Sequence, residues 1–107
     1  MAKTTHEHWL RETGEGIAVR RQTMPDATTT PQDSLIFALW LTADSMRRAG
    51  DLSHARVTCP TYRAEASQAA QTLKLPLASA AFSASEGTLE RRFFDMFEDL
   101  CRELREA

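Results

Sequence analysis

Residues 33–51 read DSLIFALWLTADSMRRAGD, and Leu35 to Leu41 form seven consecutive apolar residues within them. At 100° per residue, seven helical positions point in every direction around the axis, so a helix built on this run needs apolar cover on more than one side. Its ends are well marked. Thr30 stands at the N-cap, Pro31 at the first helical position and Asp33 in the first turn, while Arg47 and Arg48 sit at the negative end of the dipole and Gly50 supplies the stop. The spacing predicts a helix over 31–49.

Leu35, Ile36, Leu39, Ala43 and Met46 share one quadrant of that helix and read as its core face. Phe37, Trp40 and Leu41 lie on the other side, which turns charged a turn later at Asp44, Arg47 and Arg48. Two coverings are open. Either Trp9, Leu10, Ile17 and Val19 fold back across the 24–30 loop, or another chain packs there, a protein partner or a second copy as a homodimer. Three large exposed side chains mark an interface, which makes Phe37, Trp40 and Leu41 the candidate partner-binding residues.

Around this helix the other elements are less strongly signalled. Thr4 and Glu7 have capping-box spacing and open a short helix that Gly14 and Gly16 would end; residues 16–23 then read as a short extended segment. After Pro60, Tyr62, Ala66, Ala69, Ala70 and Leu73 share one face of a further helix. That face is mostly alanine and invites close approach of a bulkier helix, expected to be the last. Residues 88–107 form a long amphipathic pattern with Leu89, Phe93, Phe94, Met96, Phe97, Leu100, Cys101 and Leu104 on its stripe, and with Arg91–Asp95, Glu98–Arg102 and Arg102–Glu106 at i,i+4 on the other side. The expected fold is therefore all-α, a bundle of three to four helices with at most one short extended segment. The alternative is an α/β chain with a small βαβ unit whose strands lie near 55–59 and 77–82, two stretches poor in β-branched and aromatic residues.

With 107 residues the chain is expected to be a single domain over 1–107. Net charge is −2, and neither half carries a basic excess, so no cationic field invites nucleic acid or anionic lipid. The apolar run falls well short of the roughly 18 residues a membrane helix needs, and the N-terminus lacks a signal-peptide core; a cytoplasmic protein with no membrane partner is expected. Cys59 and Cys101 are too few for a disulfide framework and lack zinc-ligand spacing. They read as buried free thiols. The chain has no Asn, two Lys and two Ile against eleven Arg and sixteen Ala, a bias that suggests a GC-rich bacterial genome.

Chemical motifs are sparse. His6 and His8 point about 200° apart on a helix and cannot share one ion. His54 and Cys59 are a nucleophile and a base by type only, with no orienting acid or oxyanion donor beside them in the sequence. Residues 75–94, LPLASAAFSASEGTLERRFF, place a small-residue helix, a serine turn and a second helix with Arg91 and Arg92 exposed. This segment resembles a bacterial helix-turn-helix, and Leu89, Arg91 and Phe93 match a spacing found in arabinose-operon-type regulators. The resemblance covers about a fifth of the chain and lacks the usual turn glycine. It implies a DNA-binding regulator with Arg91 and Arg92 on the nucleic acid, joined by the Arg20-Arg21 and Arg47-Arg48 pairs; against it, Asp95, Glu98 and Asp99 would face phosphates with carboxylates. Nucleic acid is accordingly not the expected partner. The residues point to a non-enzymatic protein-binding or regulatory module, of accessory, inhibitor or immunity type, with no cofactor. A DNA-binding regulator and an enzyme with an unidentified site are the alternatives.

Overall fold

A computed structural model of the chain describes residues 6–23 and 30–106. Those residues form six helices and no strand: α1 His6–Thr23, α2 Pro31–Ala49, α3 Ser53–Thr58, α4 Tyr62–Leu73, α5 Pro76–Ser83 and α6 Glu86–Arg105. The all-α expectation holds, and the helix number rises from three or four to six. Both candidate strands are helical, since 55–58 lie in α3 with Cys59 as its C-cap and 77–82 lie inside α5. Alanine and leucine are good helix formers, and Pro76 presets the first turn of α5. The βαβ alternative falls with them.

α2 begins and ends where its caps place it. The Thr30 hydroxyl accepts the Asp33 N–H at 3.1 Å, and Gly50, at φ 74°, donates its N–H to the Met46 carbonyl at 2.9 Å. Left-handed backbone there favours glycine, which has no Cβ to strain. Within the apolar run only Trp40 escapes full burial, because α1, α3, α4 and α6 all pack on α2. Buried polar groups on α2 are satisfied: Thr42 donates to the Ala38 carbonyl, and Ser45 donates to the Asp51 carbonyl while accepting the Ala55 N–H. Ser45 thus pins the α2–α3 connection.

The second face of α2 is covered from within the chain. α1 runs antiparallel to α2: Arg20 near its end pairs with Asp33 at the start of α2 at 2.8 Å, and Glu7 near its start pairs with Arg47 at the end of α2. Residues 16–23, expected to be extended, belong to this helix, and Gly14 and Gly16 lie inside it rather than ending it. For Gly14 the cause is tertiary. A Cβ on Gly14 would stand 2.3 Å from Trp40 Cγ, so the glycine lets the indole rest on the helix backbone, and that packing outweighs the roughly 1 kcal/mol helix penalty of a glycine. The Thr4 cap and residues 24–29 of the expected loop lie outside the described residues.

The alanine face of α4 (Ala66, Ala69, Ala70) is buried as expected, but its main neighbours are α2 and α5 rather than α6. α2 is the bulky helix this face admits. On α6, Leu89, Phe93, Phe97, Leu100, Cys101 and Leu104 are buried, while Phe94 is 58% exposed and Met96 half-buried. Two glutamates of α6 hold other elements: Glu103 accepts the Leu77 and Ala78 N–H groups at 3.0 and 2.9 Å, and Glu90 accepts the Leu52 N–H at 3.0 Å. A carboxylate at the N-terminus of α5 completes a helix whose own N-cap, Leu75, has no side chain to do so. Of the expected i,i+4 pairs, Arg102 bonds Asp99 instead and Arg91 bonds the Thr88 hydroxyl. No described helix is long and apolar enough to cross a membrane.

Candidate functional site

The structure brings the second face of α2 together with the His54 and Cys59 pair. Phe37, Trp40 and Leu41 line a cleft of about 290 Å³. Phe37 and Leu41 are buried, at 8% and 1% exposure, so they form its floor rather than a free docking face. Trp40, half-buried, meets Phe37 at 5.9 Å between ring centroids with an interplanar angle of 36°. From α1 come Ala18, Arg21 and Gln22, and from α3 and its C-cap come His54, Thr58 and Cys59. Three segments far apart in sequence therefore wall one pocket.

Arg21 is the cationic member. Its guanidinium carbon lies 4.3 Å from the Phe37 ring centroid, a cation–π geometry. Nη2 donates to Glu65 Oε1 on α4 at 3.3 Å, and buried Nη1 has no hydrogen-bond partner among the described residues. Glu65 is shared further, accepting from the Thr61 hydroxyl and, at 3.7 Å, from the Cys59 thiol. Burial raises the Glu65 pKa, but the Thr61 hydrogen bond, the Arg21 charge and hydrogen bond, and the Cys59 thiol more than offset it and hold the carboxyl below its ordinary 4.5.

That direction has a measurable consequence. A carboxylate with a depressed pKa in the folded state stabilises the fold above its unfolded pKa and loses that contribution as pH falls through the folded one. The melting temperature of Glu65→Gln should lie below that of the parent protein near neutrality, and the gap should close as pH drops below 4.5. A gap constant across that range would show that the Glu65 charge does not hold α4 to α1.

Cys59 and His54 share the cleft without forming an activated pair. The sulfur's hydrogen-bond partners are Glu65 and Thr61 rather than His54. His54 faces Asp44, whose Oδ2 lies 3.7 Å from Nε2 and is already engaged by Arg48 at 2.8 Å. The carboxylate His54 meets in the fold is thus Asp44 on α2 rather than Asp51, three residues before it. Of the two thiols expected to be buried, Cys59 is half-exposed; Cys101 is buried, and burial pushes its pKa up to about 12. No group of three metal-ligating side chains occurs among the described residues.

The arginines of the alternative site lie elsewhere. α5 and α6 are joined through Ala84 and Ser85, with Ser85 accepting the Thr88 N–H at 3.2 Å as N-cap. Arg91 and Arg92 are exposed on the first half of α6, and Arg92 borders an apolar groove with Leu77, Leu89 and Met96. Exposed Asp95, Glu98 and Asp99 share that helix. The remaining arginine pairs are held internally: Arg20 by Asp33, Arg21 by Glu65, Arg47 by Glu7 and Arg48 by Asp44.

In the sequence Arg21 enters only as a phosphate contact of the DNA-binding alternative, and Gln22 not at all; neither is assigned to this face. Their only signal is register, one turn on from Ile17 on a helix whose existence the two glycines obscure. No protein-family model, curated protein or solved structure matches this chain.

Proposed function

We propose that this chain is a non-enzymatic binding module of regulatory type, and that its binding site is the cleft over Phe37, Trp40 and Leu41. One observation carries the reading: an aromatic and aliphatic floor, rimmed by a few polar groups from α1 and α3, bounds a half-open cleft of about 290 Å³, the composition of small-molecule sites and close to their lower size limit of roughly 300 Å³. A thiol whose hydrogen-bond partners are Glu65 and Thr61 rather than His54 favours recognition over nucleophilic chemistry. With Phe37 and Leu41 beneath α1, the apolar run serves a partner through this cleft rather than as an open helix face. Accessory or inhibitory action through another protein remains within this reading, and nucleic acid does not enter it.

A fragment set of neutral and charged aromatic compounds, screened by amide and indole NMR on the whole chain, tests it. Hits should shift Ala18, Gln22, Thr58 and the Trp40 indole N–H together. Hits that cluster on α5 and α6 around Met96, or no hits at all, would overturn it.

A further inference from the structure

We infer that the cleft takes a small organic acid, a carboxylate carried on an aromatic or branched apolar body. This rests on the binding-module reading and names its ligand class. Arg21 is the cleft's one formally charged lining residue, and no carboxylate lines it among the described residues. The guanidinium carries five donors. The Glu65 contact to Nη2, at 3.3 Å, is long against the 2.7–2.9 Å of a charge-assisted bond, and Glu65 divides its oxygens among Arg21, Thr61 and Cys59. Nη1 has no acceptor among the described residues.

An anion is what this edge lacks. Arg21 lines the cleft and its side chain is about one third exposed, so its guanidinium is open to an acid bound there, where Gln22 and Thr58 add neutral donors. The body of the ligand meets Trp40 and Leu41. A cationic ligand would face Arg21 at close range, and the face of the Phe37 ring that attracts cations already carries the guanidinium. Nucleotides and polyphosphates require more cations than one arginine and more room than about 290 Å³.

Phenylacetate and its neutral isostere phenylacetamide, titrated into the whole chain and followed at the Trp40 indole N–H, separate the possibilities. Phenylacetate should bind in the millimolar range or tighter, about tenfold more tightly than the amide, the value of one charge-assisted hydrogen bond. Arg21→Gln should erase that preference while leaving weak binding of both. Because Arg21 also ties α1 to α4, Glu65→Gln provides a second arm that keeps Arg21 in place: freeing Arg21 of its internal carboxylate should tighten phenylacetate several-fold and leave the amide unchanged. Equal binding of acid and amide by the parent protein would overturn the organic-acid assignment and leave the binding module standing. Binding of neither would remove both. A Glu65→Gln protein with unchanged preference would also overturn the role of Arg21.

Discussion

Phe93→Ala is expected to cost about 3–5 kcal/mol, the usual loss when a buried phenylalanine is emptied to a cavity. Phe93 is fully buried and meets Phe97 at 5.7 Å and Phe94 at 5.4 Å between ring centroids. A domain of this size has about 5–15 kcal/mol in total, so the variant should be marginal at room temperature. The neighbouring substitution is the control. Phe94 is 58% exposed, and Phe94→Ala should stay within about 0.5 kcal/mol of the parent. Urea unfolding of both variants reads the difference directly. A Phe93→Ala loss below about 1 kcal/mol would mean that α6 does not dock through this ring. Phe97→Ala, at 9% exposure, should behave like Phe93→Ala.

Gly14→Leu should destabilise by about 3 kcal/mol, at the upper end of what overpacking a tight contact costs. Even its Cβ would stand 2.3 Å from Trp40 Cγ and 2.4 Å from Trp40 Cβ, so α1 must lift from α2 to accept the side chain. Gly16 supplies the contrast, with nothing within 4 Å of its Cβ position. Gly16→Ala should stabilise by about 0.5–1 kcal/mol through helix propensity alone. Adding Trp40→Ala to Gly14→Leu should recover part of the loss, a coupling that a double-mutant cycle measures. Additive losses, or a Gly14→Leu protein as stable as the parent, would show that α1 does not seat on Trp40. Because α1 forms one wall of the cleft, loss of stability at Gly14 should be accompanied by loss of any ligand response at Trp40.

Much of the fold was readable in local signals. The helix over 31–49 follows from Thr30, Pro31 and Gly50, each of which acts on its own backbone within one turn. The stripe on α6 follows from periodicity, which reports the side that is buried without needing its neighbour. The need for cover around Phe37, Trp40 and Leu41 was equally legible, since it depends only on the angle between successive side chains. Where local rules misled, a contact from another element had overruled them. Gly14 read as a stop because propensity counts the residue's own backbone cost and cannot see the Trp40 ring that needs its missing side chain. The 77–82 stretch read as a possible strand because the carboxylate that caps its helix, Glu103, lies about 25 residues away on α6. Phe94 read as core because it borders the stripe, and only the placement of neighbouring helices decided which edge faced water.

The cleft divides along the same line. Sequence alone singled out Phe37, Trp40 and Leu41 as a face in need of a covering, and marked His54 and Cys59 as reactive types without a place. Tertiary structure decided that α1 supplies the cover, that α3 brings His54 and Cys59 to its edge, and that Arg21 stands over Phe37 with a donor to spare. Helical period and capping are properties of residues a few positions apart, so they are written in the order of the chain. A pocket is a property of residues from three helices at once, and it exists only after those helices have packed.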